Sequence, residues 1–142
     1  LRTLPLRLKQ SQKNSIKLAN FLSKQKEIKK VYHPALKEHP DHQIWKRDFC
    51  GASGIFGIEF KNSITSRMAE FFADNCLLFG KGSSWGGYES LMTMTDVKSI
   101  RTINTSYIPN GEYLRIYVGI ENIEDILEDV RISFTKMRKK FK

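Results

Sequence analysis

The spacing of hydrophobic and polar positions changes along the chain from helical to alternating and back, and this predicts the order of its main elements. Residues 1–25 are predicted to form an amphipathic helix, because a lysine recurs every four positions along one of its sides. Another side of this helix carries Leu4, Leu8, Ser15, Leu18 and Leu22. Residues 54–60 and 113–120 alternate instead, so each is predicted to be a strand with one buried face. Asn122 then caps a last helix with this inward stripe: Ile126, Leu127, Val130, Phe134, Met137 and Phe141.

Weaker patterns between these elements predict shorter ones. They are a strand at 31–32 that Pro34 ends, a helix around 41–48, a helix over 63–74, a buried strand at 76–79 and a turn-rich loop over 80–87. Residues 92–111 are polar and irregular and receive no assignment. The whole pattern predicts one α+β domain over residues 1–142, a small and mainly antiparallel sheet of about four strands with helices packed on one face.

Composition agrees with a single globular domain, because the chain has 142 residues of which 40% are hydrophobic and 27% charged. The net charge of +9 does not form one basic patch: it is +9 over residues 1–47, −6 over 48–130 and +6 over 131–142. Both basic stretches lie on predicted helices with few aromatic residues between the charges. They are interpreted as solvated helix faces, and no nucleic-acid partner is expected.

The chain has no apolar run of the length that crosses a membrane, and its first residues do not resemble a signal peptide. No membrane partner is therefore expected. The sequence contains only two cysteines, which favours a reducing compartment, so a cytoplasmic location is expected. Because residue 1 is not methionine, the start is interpreted as a cut inside a longer chain.

Three sets of reactive side chains are weak candidates for chemistry. His39 and His42 are three apart, but Pro40 between them argues against a helical metal site, and no metal is expected. Cys50 and Cys76 have no catalytic spacing, so both are expected to be buried structural thiols. The acidic residues over 121–129 are expected to face mostly solvent in the first turns of the last helix, so acid–base catalysis is not expected there.

Arg115 is a stronger candidate because it lies in the middle of the strand predicted over 113–120, on the face opposite its aliphatic residues. Tyr113 and Tyr117 share that face. A guanidinium between two aromatic side chains is well suited to hold a carboxylate through two parallel hydrogen bonds. The alternative is an ordinary arginine that faces solvent.

The loop over 82–90 is the second candidate. Its adjacent glycines allow a tight bend and a close approach to a ligand, and Trp85 and Tyr88 are placed to form the wall of a pocket. Ser83, Ser84 and the backbone N–H groups are suited to bind an anion. The alternative is a stiff turn with packed aromatic side chains, and the residues alone favour neither.

Two stretches carry a resemblance to a known family. Residues 84–90, Ser-Trp-Gly-Gly-Tyr-Glu-Ser, and residues 114–125, Leu-Arg-Ile-Tyr-Val-Gly-Ile-Glu-Asn-Ile-Glu-Asp, closely resemble the C-terminal domain of the cystathionine β-lyases. These enzymes belong to the pyridoxal-phosphate-dependent family of cysteine and methionine metabolism. Residues 1–8, 31–36 and 45–54 fit the same domain in the same order, so the resemblance covers nearly the whole chain. It implies the C-terminal domain of a fold-type I transferase-like enzyme.

The resemblance also implies an activity and a site. Trp85 and Tyr88 favour the β-lyase branch, since related γ-lyases and γ-synthases tend to have Leu and Val at these positions. The branch converts cystathionine to homocysteine, pyruvate and ammonia. By resemblance, Arg115 holds the α-carboxylate of the amino-acid substrate, and Ser84 and Trp85 line the same site. Ser83 departs from the pattern, because close relatives often carry Tyr there, and this bears on the preferred substrate.

The family's catalytic centre is expected to lie outside this chain. By resemblance, its Schiff-base lysine lies in a Ser/Thr-Lys motif of the large domain, upstream of residue 1, so no lysine of this chain is expected to take that role. No catalytic or cofactor-binding residue is therefore expected in this chain, which is predicted to be inactive alone. The large domain, pyridoxal phosphate and a homo-oligomer are expected in the full enzyme. The alternative is a non-catalytic remnant, or a module that binds polyanions or proteins.

Overall fold

The computed structural model describes residues 1–102 and 108–142 of the chain. Its helices are α1 (Leu4–Leu22), α2 (His42–Asp48), α3 (Ser66–Asp74), α4 (Val97–Ile100) and α5 (Ile123–Lys140). Its strands are β1 (Ile28–Tyr32), β2 (Ile55–Phe60), β3 (Gly80–Lys81), β4 (Leu91–Met94) and β5 (Tyr113–Tyr117).

The strands form one mixed sheet in the order β1-β2-β5-β4-β3. Every pair of neighbours is antiparallel except β3 and β4, which are parallel. The predicted α+β class with a mainly antiparallel sheet is confirmed, although the described sheet has five strands rather than about four. Strand β5 lies at the centre of the sheet, so each of its side chains has a neighbouring strand to the left and to the right.

One misplaced strand and one unassigned strand account for the difference from the sequence-based assignment. The strand predicted at 76–79 is wrong, because this segment forms turns and the strand begins only at Gly80. The carboxylate of Asp129 on α5 accepts hydrogen bonds from the backbone N–H groups of Leu77 (2.9 Å) and Leu78 (3.0 Å) and holds the turn. The unassigned stretch 92–111 contains most of β4 and all of α4, and residues 103–107 of it lie outside the described part of the chain.

The core lies on the face of the sheet that β5 lines with Leu114 and Ile116, both buried. Helices α3 and α5 cover this face. The Phe72 ring of α3 lies 5.8 Å from that of Phe60 on β2 and 4.3 Å from that of Phe134 on α5, measured between ring centroids. The prediction that helices pack on one face is thereby confirmed, and the opposite face of β5 carries Tyr113, Arg115 and Tyr117.

Helix α1 differs from its predicted pattern in its first half. Leu4 and Leu8 are 41% and 45% exposed, while the buried positions there are Ser11, Asn14 and Ser15. These polar groups are satisfied by hydrogen bonds to the rest of the domain. The Asn14 amide, for example, donates to the carbonyl of Gly119 (3.1 Å), just beyond the end of β5. Helix α1 is therefore joined to the end of β5 by polar contacts, and its exposed leucines face away from the core.

His33, which follows β1, is buried as a neutral imidazole. Its Nδ1 accepts the N–H of Ala35 (3.2 Å), so its Nε2 carries the proton toward the hydroxyl oxygen of Ser15 (3.2 Å). Burial is the main cause that lowers its pKa to about 4, and the nearby His39 lowers it further. Protonation on folding is disfavoured because the imidazolium would lose water without gaining a counter-ion.

We expect the free energy of unfolding to fall by about 2 kcal/mol between pH 7 and pH 5 because of His33. The unfolded chain takes up a proton below pH 6.5, whereas the folded chain does so only near pH 4, so the stability present above pH 6.5 is lost on acidification. Glu27 and Glu59 also have pKa values that are lowered on folding, but their protonation lowers the free energy of unfolding only below about pH 4.5. Urea unfolding at the two pH values measures the loss.

The variant His33→Gln is the matched control for this pH dependence. It should be less stable at pH 7 but lose about 2 kcal/mol less between pH 7 and pH 5. The loss that remains is expected from His39, whose pKa is also lowered by burial. An unchanged loss in His33→Gln would contradict the assignment to His33.

Candidate functional site

Strand β5 presents Arg115 on the face of the sheet opposite the core. Its neighbours across the sheet are Gly57 on β2 and Thr93 on β4. Gly57 has no side chain, and the ring of Tyr113 lies over it: a Cβ placed on Gly57 would be 1.7 Å from the Tyr113 hydroxyl oxygen. Tyr113 therefore fills the space above Gly57, and the Arg115 side chain extends from the sheet beside it.

The Arg115 guanidinium reaches the loop over residues 82–89, which we call the 82–89 loop. It donates a hydrogen bond to the carbonyl oxygen of Ser83, and its central carbon lies 5.5 Å from the centroid of the Trp85 ring. Trp85 is 62% exposed and Ser84 is also exposed. The structure thus brings Arg115 and Trp85 together, and Ser84 lies in the chain between Trp85 and the Ser83 carbonyl that Arg115 binds. The aromatic partner of Arg115 is Trp85 rather than the tyrosines of its own strand.

Within residues 1–102 and 108–142, no carboxylate of this chain pairs with Arg115. The acid on the same face of the sheet, Glu59, has partners of its own. It accepts hydrogen bonds from Lys29 (2.7 Å), from the Tyr32 hydroxyl (2.6 Å) and from the backbone of Asn110 (3.0 Å). Burial raises its pKa, but these hydrogen bonds outweigh burial and leave the pKa lowered. The outer edge of the Arg115 guanidinium therefore remains able to bind an external carboxylate.

The end of the 82–89 loop is fixed to the segment that follows β5. The N–H of Ile120 donates to the carbonyl of Tyr88 (2.9 Å). Glu121 accepts from both the N–H (2.6 Å) and the hydroxyl (2.9 Å) of buried Ser90, and that hydroxyl accepts from the N–H of Gly119 (2.9 Å). These contacts hold the loop in place beside Arg115.

Sequence reasoning missed these supporting residues. The expectation that the acids over 121–129 face solvent is wrong for Glu121, which holds Ser90, and for Asp129, which is buried against the 77–78 turn. Their partners are backbone N–H groups distant in sequence, so no local pattern signals them.

The other reactive side chains form no catalytic cluster. Cys76 is buried, and burial raises its pKa to about 12. The prediction that Cys50 is buried is wrong, because it follows the end of α2 at the surface. His42 contacts the carbonyl of Pro34 (2.9 Å) and His39 Nδ1 accepts the N–H of Asp41 (3.2 Å), so the two imidazoles have separate roles. In the described residues, no group of three His, Cys, Asp or Glu side chains could hold a metal ion.

A large apolar groove lies between the first half of α1 and the segment over 33–55. Its volume is about 870 Å³, and its exposed apolar side chains include Leu8, Ile44 and Phe49. An apolar groove with three such side chains in the open is typical of a surface that another body covers.

The chain belongs to the Cys/Met metabolism PLP-dependent enzyme family, whose model matches residues 1–135. It is 40% identical over 139 residues to cystathionine beta-lyase from Haemophilus influenzae, covering 96% of this chain and 35% of that enzyme. It is 37% identical over 139 residues to L-alanine/L-glutamate racemase from Wolbachia pipientis wMel, covering 96% of this chain and 34% of the racemase.

A solved structure agrees with the sequence comparisons. Cystathionine gamma synthase from Xanthomonas oryzae pv. oryzae, in complex with aminoacrylate and cysteine, superimposes with a TM-score of 0.84 at 28% identity. The match covers 99% of this chain and 37% of the synthase. The fold and family implied by residues 84–90 and 114–125 are thereby confirmed, while the chain spans only about a third of the relatives that it matches.

None of the lysines in the described ranges is fully buried. A lysine that reacts with a carbonyl is activated by burial or by a neighbouring cation. All lysines here are exposed except Lys30, which is half-buried.

Across the described ranges, no helix has both the length and the apolar character needed to cross a membrane.

Proposed function

We propose that this chain is the substrate-anchoring C-terminal domain of a pyridoxal-phosphate-dependent carbon–sulfur β-lyase. The observation that carries the proposal is the Arg115 guanidinium, which extends from the central strand to the 82–89 loop without a carboxylate partner among the described residues. The substrate class is amino acids with sulfur on Cβ, cystathionine first. Its cleavage with one water gives homocysteine, pyruvate and ammonia.

Arg115 binds the α-carboxylate of the substrate in this proposal. A planar guanidinium holds a carboxylate through two parallel hydrogen bonds, and so fixes the orientation of the Cα to which the carboxylate is attached. Ser84 and the loop backbone at Trp85 are close enough in sequence to Ser83, the present partner of Arg115, to contribute further donors. The Trp85 ring beside the guanidinium keeps water from one side of the ion pair, which strengthens it.

The remainder of the site belongs to the large domain in this proposal. Pyridoxal phosphate, when bound there, supplies an electron sink for the substrate. The large domain is also the proposed cover of the apolar groove over α1 and residues 33–55, and a homo-oligomer is proposed for the complete enzyme. The exposed Leu8, Ile44 and Phe49 support a second body over the groove, and the length of the relatives supports a further domain in the complete enzyme.

The chain alone is expected to have no lyase activity and no specific cofactor lysine, because none of its lysines is fully buried, the setting that most strongly activates an amine. The purified chain is incubated with pyridoxal phosphate, reduced with borohydride and mapped by mass spectrometry. Low labelling spread over many lysines is expected. Stoichiometric labelling of a single lysine would contradict the proposed division between the two domains.

Amino-acid racemisation is a second candidate, favoured by the 37% identity to the Wolbachia racemase. A racemase also needs a fixed α-carboxylate, so Arg115 would serve either reaction. The complete enzyme separates the two: a lyase releases pyruvate and a thiol from cystathionine, whereas a racemase forms the D-enantiomer of alanine or glutamate without pyruvate. The proposal predicts pyruvate release, and its absence together with D-amino acid formation would reject the lyase.

A further inference from the structure

Tyr117 lies two residues after Arg115 on the same face of β5, but unlike Arg115 it is almost wholly enclosed, with 4% of its surface exposed. Its ring fits against Gly54 beside Ser11 of α1. A Cβ placed on Gly54 would lie 2.8 Å from Cε2 of Tyr117 and 3.2 Å from Cβ of Ser11. The absence of a side chain at Gly54 thus allows the ring to occupy this one position.

The phenol hydroxyl of Tyr117 points to the 82–89 loop. It donates to the carbonyl oxygen of Gly87 (3.0 Å), and it lies 3.2 Å from the hydroxyl oxygen of Ser11. Because the Tyr117 proton is directed to Gly87, Ser11 acts as the donor in the second contact. The hydrogen bonds therefore run from α1 through Tyr117 to the loop.

Arg115 and Tyr117 hold the two ends of one short segment. Arg115 binds the carbonyl of Ser83 and Tyr117 binds the carbonyl of Gly87, so Ser84, Trp85 and Gly86 lie between two points fixed to the same strand. Side chains two residues apart on a strand are separated by about 7 Å and point the same way. A rigid strand thus sets the distance between the ends of the segment.

We propose that Tyr117 is a positioning residue that holds Trp85 and the adjoining backbone beside Arg115, and that Ser11 orients its hydroxyl. This inference rests on the proposed function in so far as the positioned segment binds the substrate carboxylate. Tyr117 itself touches neither substrate nor cofactor. Its role is to keep the segment in its bound arrangement before the substrate arrives, which lowers the ordering cost of binding.

The variant Tyr117→Phe tests the inference in the complete enzyme, with Tyr113→Phe as the matched control. Both remove one hydroxyl from the same face of β5, but the Tyr113 hydroxyl lies over Gly57 and not at the loop. Chymotrypsin cleavage after Trp85 and Tyr88, followed by mass spectrometry, reports how often the loop opens. Tyr117→Phe should raise this cleavage rate roughly 2- to 10-fold, the change expected from the loss of one hydrogen bond, and Tyr113→Phe should not.

Kinetics of the same variants separate positioning from a general structural effect. Tyr117→Phe should raise KM for cystathionine by a factor similar to the increase in cleavage, with kcat and the absorbance of bound cofactor unchanged. Ser11→Ala should raise the cleavage rate less than Tyr117→Phe does. Equal cleavage in Tyr117→Phe and Tyr113→Phe would overturn the inference. If Tyr117→Phe loosens the loop while Arg115→Leu keeps full activity, loop positioning stands and the proposed carboxylate site falls.

Discussion

Replacing Arg115 with leucine in the complete enzyme is expected to lower kcat/KM roughly 30- to several-thousand-fold for every amino-acid substrate. The reason is that each substrate carries the same α-carboxylate, and a charged hydrogen-bonded pair shielded from water is worth about 2–5 kcal/mol when one partner is removed. Steady-state kinetics with cystathionine and a second cysteine conjugate measure the effect, and the ratio between the two substrates should stay nearly constant.

Two control variants accompany Arg115→Leu. Arg115→Lys keeps the charge but loses the planar pair of donors, so it should recover only part of the lost activity. Arg67→Leu removes an exposed arginine from α3, on the core side of the sheet, and should leave kcat/KM unchanged. Near-normal activity in Arg115→Leu would remove Arg115 from the site, and loss of bound cofactor or of folded protein would make it a structural residue.

Alanine at Gly119 is expected to destabilise the domain by about 2 kcal/mol or more and to displace the 82–89 loop. The added Cβ would lie 2.1 Å from the carbonyl oxygen of Tyr88 and 2.7 Å from the carbonyl carbon of Glu89. Both are backbone atoms, so no side-chain rotation relieves the overlap. For a domain of this length the melting temperature should fall by roughly 5–10 °C, which thermal unfolding followed by circular dichroism measures.

Gly87→Ala is the matched control for Gly119→Ala. Its added Cβ would have no atom within 4 Å apart from its chain neighbours, and its φ is not positive. It should therefore change stability by no more than about 0.5 kcal/mol. Equal stability losses in the two variants would contradict the close seating of the loop end against Gly119.

The elements predicted best from the sequence have a strong hydrophobic periodicity, which a capping residue supports in the case of α5. Helix α5 has a long apolar stripe at helical spacing, and the Asn122 side chain accepts the N–H of Glu124 as an N-cap should. Strand β5 was predicted over 113–120 and ends at Tyr117 in the structure. The strand alternation placed Arg115 on the face opposite the core, which the structure confirms.

The elements predicted worst are those decided by contacts distant in sequence. The run Cys76–Phe79 is apolar enough for a buried strand, but Asp129 captures two of its N–H groups and makes it a turn. In α1, helical spacing selected Leu4 and Leu8 as inward positions. The buried side there is polar because it meets the backbone after β5, and Leu8 lines the groove instead.

The sequence likewise predicted one part of the candidate site and missed another. Arg115, Ser84 and Trp85 were named from chemistry and resemblance, and the structure places Arg115 against Trp85 and against the carbonyl of Ser83, next to Ser84. The groups that hold the loop, Tyr117 and Glu121, act on backbone atoms about thirty residues away. A hydrogen bond to a distant carbonyl leaves no pattern in the sequence, so only a structure could identify them.

The central claim is that Arg115 binds the carboxylate of the substrate. Its most direct test removes the carboxylate from the ligand and the guanidinium from the enzyme, separately and together, and compares the losses in affinity. Dissociation constants are determined for L-norvaline, which has no leaving group, and for butylamine, the same molecule without its carboxylate. The account predicts that the complete enzyme binds norvaline at least roughly 30-fold more tightly than butylamine, and that Arg115→Leu reduces this preference to a few-fold. An equal preference in both enzymes would show that another residue holds the carboxylate.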